Sequence, residues 1–480
     1  MKVRHMIIGA LMTVIAAPVM AQAQTNEIMN QVSAIIKSGA PDANKQVQAI
    51  AKANKKDINA IVGIGKAYLA AKDYANAKVY AQQAVDMAGK EKEKIADPYV
   101  LMGNIAVGED DGGTAAQWFQ QAIYFAPKSP DGYRRYAQIM SKTDPAGAVQ
   151  TLEDLRAQLP DYPVDLIAAE IYSEAGKMAK ANEYYAKVSL DKMKDYQISD
   201  YATNLFLSQQ YDKSLDIAKQ GHAKFARNAS FNRLIMFNNT EKKDYEAALV
   251  GANDLFNNSD SLKASAFDYG YYARALKGAN KYAEAVTAYQ KLQQLEGIDN
   301  DTKNQANKDI SDCYKKLSDY DKAAEYLQKW AQSLPQQSFT AEEAAALLYA
   351  DQLADEKLTA EVKKTAYEKA DALYAQLAEK YPDNAAYIAN KRATMPFSLT
   401  SDQMAALKMA GPHYVTFADL LAADTNRSAG QTKMLINAYN TIVAYYVHSM
   451  NDMDKAKEVA QKLIELDPEN ANAKAILGIE

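Results

Sequence analysis

The residues able to do chemistry in this chain are few and scattered. There are four histidines, His5, His222, His413 and His448, and one cysteine, Cys313. No histidine stands at metal-ligand spacing from a Cys, a second His or a paired carboxylate, so neither a metal nor a cofactor is expected. Asp299-Asn300-Asp301 begins like a calcium loop. Asn304 then stands where the turn requires Gly, and Ile310 where a bidentate Glu is required. Ser189-Leu190-Asp191-Lys192 fits the Ser-x-x-Lys of serine acyl enzymes but has neither partner motif. Gly63-Ile64-Gly65 lacks the third Gly of a dinucleotide loop. Cys313 falls in a helical stripe with Ile310, Ser311 and Tyr314 and reads as a small buried residue. No catalytic residue is assigned, and the chain reads as a non-enzyme.

The elements that would position these residues repeat. Ala77/Ala81/Ala84, Ala115/Phe119/Ala122, Ala285/Tyr289/Leu292 and Ala456/Ala460/Leu463 are small or apolar at spacings of four and seven, one face of a helix. Upstream of each lies a second stripe, such as Ile61/Ile64/Gly65/Tyr68 or Tyr269/Tyr272/Ala273/Leu276. The residues Ala77, Ala115, Ala148, Ala181, Ser214, Ala248, Ala285, Ala323, Ala370, Ala410 and Ala456 mark eleven second helices. Lys72-Asp73-Tyr74, Lys243-Asp244-Tyr245, Asn280-Lys281-Tyr282 and Ser318-Asp319-Tyr320 precede second helices, with Asp placed to cap and Tyr to pack across the turn. Pro127, Pro160, Pro335, Pro382 and Pro468 stop second helices before the next unit.

This pattern resembles the tetratricopeptide repeat (TPR). The unit Tyr99–Met102–Gly103–Ala106 followed by Ala115–Phe119–Ala122–Pro127 matches the family motif closely, and Ile61–Ile64–Gly65–Tyr68 with Ala77–Ala81–Ala84 matches it too. The resemblance covers roughly residues 27–478. It implies an all-α, right-handed α-solenoid of about eleven TPR-like helix pairs with capping helices. The expected organisation is a signal peptide at 1–23, N-terminal capping helices at 24–56 and TPR-like repeats at 57–395. An insertion at 396–411 within the tenth repeat follows, and 412–480 hold the last repeats and a C-terminal capping helix. A polar insert is also expected near Asp355–Glu361.

In such a solenoid the first helix of each pair lines the concave face. One position and five positions beyond its leading apolar residue lie Lys66, Arg134, Gln138, Glu170, Thr203, Arg233, Phe237, Arg274, Lys308 and Asp312. Basic residues outnumber acids in that set. A peptide-binding surface is therefore expected at Arg134, Gln138, Arg233, Phe237, Arg274 and Lys308, with an acidic segment or C-terminus as ligand. The Lys/Asn carboxylate clamp of some TPR domains is not matched, since Val62 and Lys66 hold its first positions.

Composition narrows the partners. Hydrophobic residues make up 48% and charged residues 24%, which suits a folded chain. Lys2 and Arg4 begin a leader whose apolar run, Met6 to Val19, is too short to span a membrane, and Ala21-Gln22-Ala23 supplies a cleavage pattern. Cleavage after Ala21 or Ala23 takes 55 basic residues to 53 against 60 acidic, from −5 to −7 net. A mildly acidic, mixed surface argues against nucleic acid. No later stretch is apolar enough for a transmembrane span, and the location expected is the periplasm, or the exterior by secretion. Asp260-Ser261-Leu262 resembles an O-glycosylation sequence of exported proteins in some Gram-negative bacteria. The function expected is a non-enzymatic scaffold or adaptor that binds a protein partner. The alternative is a solute- or glycan-binding accessory of an outer-membrane uptake system, although exposed Trp platforms are lacking.

Overall fold

A computed structural model describes residues 19–90 and 95–479. The expected leader lies outside these residues, except for its last five, which begin the first helix. The chain divides into two compact units, residues 1–226 and 227–480.

In the first unit, α1 (Val19–Ser38) and α2 (Ala43–Ala53) precede five helix pairs. These are α3 (Ile58–Ala70) with α4 (Tyr74–Ala88), α5 (Asp97–Gly108) with α6 (Gly112–Phe125), and α7 (Pro130–Met140) with α8 (Pro145–Gln158). Then come α9 (Val164–Glu174) with α10 (Met178–Tyr185), and α11 (Asp195–Leu207) with α12 (Tyr211–Lys224). The second unit holds α13 (Ala229–Glu241) with α14 (Tyr245–Asn258), α15 (Ala266–Gly278) with α16 (Tyr282–Gln294), and α17 (Asn300–Lys316) with α18 (Tyr320–Gln332). It continues with α19 (Phe339–Ala350) and α20 (Ala360–Lys380), α21 (Ala385–Leu399) and α22 (Gln403–Ala423), α23 (Ala429–Ala444) and α24 (Met453–Leu466), and ends with α25 (Ala471–Leu477). The eleven expected pairs are all present, and no strand occurs among the described residues.

The register residues explain the stacking. Ala77, Ala115, Ala148, Ala181, Ser214, Ala248, Ala285, Ala323, Ala370, Ala410 and Ala456 are all fully buried. Each lets the second helix approach the first, because a methyl or hydroxymethyl is all that fits. Gly103 shows how close the approach is, since a Cβ there would lie 2.4 Å from the Phe119 ring. In α12 and α17 a serine sits at such a contact. Ser214 donates to the Ala202 carbonyl at 2.8 Å, and Ser311 to the Ala323 carbonyl at 2.8 Å, so each buried hydroxyl is satisfied.

The turns within pairs reuse one device. Lys72, Asp110, Lys243, Asn280, Ser318 and Asn451 all adopt positive φ, between 50° and 65°, immediately before the residue that caps the second helix. The capping carboxylates behave as their spacing suggests. Asp73 accepts from the Asn76 amide at 3.1 Å, Asp111 from Thr114 at 3.0 Å and Asp319 from Lys322 at 3.2 Å. The Asp73 amide bonds back to the Tyr68 carbonyl at 3.0 Å, which closes the preceding helix as a Schellman turn.

The stretch 396–411, expected as an insertion between the helices of the tenth pair, is instead mostly helical. Only residues 400–402 lie outside α21 and α22. Asp402 caps α22 through the Met404 and Ala405 amides, and Ala406, Leu407 and Ala410 are buried. Met404–Ala410 are good helix formers, so the extra residues lengthen α22 to 21 residues rather than making a loop. Pro396 and Pro412 sit inside these helices. The polar stretch near 355–361 forms a short connection, after a 3-10 turn at Asp351–Ala354, and Thr359 caps α20.

Candidate binding surfaces

In the second unit, the first-helix residues singled out in the sequence are joined to their neighbours. Arg233 on α13 makes a two-point pair with Asp268 on α15, at 2.5 and 2.9 Å. Asp268 is fully buried and also accepts from the Ser265 amide at 2.8 Å, while its own amide bonds the Ser265 hydroxyl at 3.2 Å. That carboxylate therefore closes a capping box and a salt bridge together. Arg274 on α15 reaches back to Glu241 on α13 at 3.1 Å and lies over the Tyr271 ring, 4.8 Å from its centroid. Tyr271 stacks on Phe237 at 4.0 Å and donates to Glu241 at 2.7 Å. Burial, and then that carboxylate, push the Tyr271 phenol up to about 12. Further along, Lys277 bridges Asp309 at 2.8 Å and Asp312 at 2.9 Å on α17, and Lys308 lies 4.9 Å from the Trp330 ring.

These pairs correct the expected positive bias of the face. Counting one stripe of each helix omitted Asp268, Glu241 and Asp309, which come from the next or previous first helix. What the face does expose is aromatic. Phe267 is 73% exposed, and helical spacing puts it on one stripe with Tyr271 and Arg274.

The first unit differs. Arg134 and Gln138 on α7 are exposed, and Arg134 has only Asp131, 3.6 Å away on its own helix. Lys66 pairs with Asp97 at 3.3 Å. Between α9 and α11, Glu170 accepts from Gln197 at 2.7 Å and from the Tyr196 hydroxyl at 3.2 Å, and Asn204 donates to Ser173 at 2.9 Å. Thr203 is half-buried beside them. Asp200 lies on the same stripe as Tyr196 and Asn204. Crowding by the protein, and then Glu170 and Glu174, hold its carboxyl above the usual carboxylate range. Sequence reasoning named Glu170 but missed Glu174 and Asp200. The signal was available in the four-residue spacings 170/174 and 196/200/204.

Cys313, His413 and Asp299 sit in separate surroundings. Cys313 is fully buried, and burial pushes its thiol up to about 11. His413 lies 3.7 Å from Asp371, which Arg392 already holds at 2.6 and 2.9 Å. Burial, and then Arg392, lower the proton affinity of His413. Leu190–Lys192 form a 3-10 turn, and Asp299 caps α17 through the Thr302 amide at 2.7 Å. Among the described residues no three His, Cys, Asp or Glu side chains converge to hold a metal ion, and no helix is long and apolar enough to cross a membrane. Ser261 is exposed at a positive-φ turn, next to Asp260, which Arg227 binds at 2.6 Å.

A family model, the tetratricopeptide repeat, matches residues 58–91 and 436–470, one stretch in each unit. No curated protein matches the chain. Among solved structures, the C-terminal part of a TPR repeat-containing protein from Cytophaga hutchinsonii is 20% identical, over 58% of this chain and 99% of that one, with a TM-score of 0.33. A tetratricopeptide repeat protein from Parabacteroides merdae is 12% identical, over 53% and 98%, with a TM-score of 0.34. PilF of Pseudomonas aeruginosa is 20% identical, over 42% and 93%, with a TM-score of 0.31.

Proposed function

We propose that this chain, a member of the tetratricopeptide-repeat family, is a non-enzymatic scaffold that is exported to the periplasm and holds a protein partner on its first-helix faces. The family assignment supports protein–protein interaction, and the α13–α15 face supplies the observation that carries the reading. Phe267 stands 73% exposed beside Tyr271 and the half-exposed Arg274, on a stripe whose other charges are internally paired. A large exposed aromatic beside a guanidinium is the composition of a protein-binding hot spot. In this reading an apolar side chain of the partner covers Phe267, and an adjacent partner carboxylate competes with Glu241 for Arg274. Lys308 extends the same surface on α17. On the first unit, Arg134 and Gln138 offer a second, smaller point for an acidic group.

Export is supported by the leader sequence. N-terminal sequencing of the native protein should begin at Gln22 or Gln24 in the periplasmic fraction, and a chain beginning at Met1 in the cytosol would contradict export. Affinity purification of the full chain from the native envelope should recover a protein partner. Phe267→Ala with Arg274→Glu should weaken that complex by on the order of 2 kcal/mol. Recovery of no protein, together with saturable binding of a glycan, would replace the scaffold with the solute-binding alternative.

A further inference from the structure

The seam between α9 and α11 is the strongest unassigned feature among the described residues. Its two helices are tied by Gln197 and Tyr196 to Glu170 and by Asn204 to Ser173. Glu170 and Glu174 are one turn apart on α9, and Tyr196, Asp200 and Asn204 are successive turns of α11. Asp200 therefore sits at the seam edge, facing the Glu170–Glu174 side. Glu174 and Asp200 are exposed and Glu170 half-buried, so all three carboxylates can be reached from solvent.

Two neighbouring cations are engaged elsewhere. Arg156 holds Asp165 and Glu153, and Lys187 lies 3.9 Å from Asp165 and over the Tyr184 ring. Lys194, at the start of α11, lies over the Tyr196 ring at 6.0 Å. Among the described residues none of these cations comes within ion-pair distance of Glu170, Glu174 or Asp200.

A second observation lies beneath the seam. Tyr185 of α10 is fully buried and stacks on Tyr201 of α11, with centroids 5.2 Å apart. Its hydroxyl has no hydrogen-bond partner. Burial raises its proton affinity most, followed by Asp200 and Glu170, so the hydroxyl lies within electrostatic reach of the seam carboxylates. Asn182, less than one turn away on α10, is also buried, with both amide atoms unpartnered. Buried polar groups are ordinarily paired, and the unpaired Tyr185 hydroxyl within electrostatic reach of the seam carboxylates is a second polar group there without a partner in the fold.

We propose that the α9–α11 seam, with Glu170, Glu174 and Asp200 on its edges and the Tyr185 hydroxyl beneath, binds the Lys or Arg side chains of a basic peptide segment. The carboxylates are strung along two helices and do not converge on a point, which suits a row of cationic side chains and not a metal ion. The sign is opposite to the acidic ligand drawn from the sequence, and the site is separate from the α13–α15 face. The inference deepens the scaffold reading, on which it rests, by naming the chemistry of a partner segment.

The test uses the full chain and a fluorescent hexa-arginine peptide, followed by anisotropy at low and at physiological ionic strength. Glu174→Gln with Asp200→Asn should weaken binding about tenfold or more. Asp86→Asn with Asp154→Asn, an equal charge change on exposed second-helix surface, should leave it unchanged. Added salt should weaken the parent and flatten the difference between variants. Parent-like affinity in the seam variant, or an equal loss in the control, would overturn the proposal, as would stoichiometric calcium binding that Asp200→Asn abolishes. Should the double variant fail to fold by circular dichroism, Glu174→Gln alone neutralises one exposed carboxylate and should still cost about threefold. If hexa-arginine fails to bind while envelope purification still recovers a protein partner, the seam is wrong and the scaffold stands. Recovery of no partner at all would remove the scaffold itself.

Discussion

The α9–α11 seam and the α13–α15 face occupy the same place in their repeats, yet their charges have opposite fates. On α13–α15 every carboxylate near the stripe has a guanidinium or a phenol, and Arg233 and Arg274 are tied to Asp268 and Glu241. On α9–α11, Glu170 accepts from neutral donors, and among the described residues no ion pair is made by Glu174 or by Asp200, whose carboxyl Glu170 and Glu174 push up. The difference comes from what stands one repeat away. Residues 33 to 35 positions apart meet across adjacent first helices, as Arg233 meets Asp268 and Arg274 meets Glu241. A solenoid therefore sets the electrostatics of its binding face by pairing along the repeat axis, and the stripe of a single helix does not report it.

The largest effect should separate the two regions by stability. Asp268→Ala removes a buried carboxylate that serves both a cap and a salt bridge, leaving Arg233 without its counter-charge. It should cost about 3 kcal/mol in chemical denaturation of the full chain. Glu174→Gln should change stability by less than about 0.5 kcal/mol. If the two substitutions cost the same, the distinction between a structural pair and an available acid is lost.

A pair of buried tyrosines sharpens the contrast. Tyr374 on α20 and Tyr185 on α10 are both fully buried, but Tyr374 donates to the buried Glu343 at 3.1 Å, and Tyr185 has no partner. Tyr374→Phe should destabilise by about 1.5 kcal/mol, because the buried Glu343 carboxylate loses a donor. Tyr185→Phe should be neutral or stabilising by up to about 1 kcal/mol, since no bond is lost. Melting of the two variants side by side decides this, and an equal loss would show that the Tyr185 hydroxyl is satisfied after all.

The smallest effect is a pH dependence. The Asp200 carboxyl is raised above its ordinary value of 3.8, so between that value and its native one the folded state holds more protons than the unfolded. Its contribution is thus most favourable at low pH and declines as pH rises through the native value. Asp200→Asn should accordingly be slightly more stable than the parent at neutral pH, by less than about 0.5 kcal/mol given its exposure, and equal to it below pH 3.8. A neutral-pH loss of stability in the variant would mean that Asp200 has a cationic partner.

Much of the architecture was legible because it rests on local spacing. The buried Ala register and the Asp caps follow from positions that interact within one pair, and Gly103 facing Phe119 lies within one unit of the motif. The left-handed residue before each cap was not legible, because Lys72, Lys243 and Ser318 carry no glycine to announce it. Residues 396–411 misled because the sequence read Pro396 as the start of an insertion, whereas it is buried inside α21 and the stretch after residue 402 continues as α22. The binding face was legible only as positions. Arg233, Arg274 and Glu170 stand on first helices as expected, but their partners lie a full repeat away. Ser265-x-x-Asp268 carried a capping signature that would have placed Asp268 at the start of α15.

Zero-length carbodiimide cross-linking in the native envelope, which joins protein carboxylates to the lysines of a bound partner, tests the account most directly. Partner cross-links should concentrate on Glu174 and Asp200, while the paired Asp268 and Glu241 and the second-helix acids Asp86 and Asp154 give none. Cross-links spread over second-helix surfaces, with none at Glu174 or Asp200, would contradict the claim that the first-helix faces hold the partner.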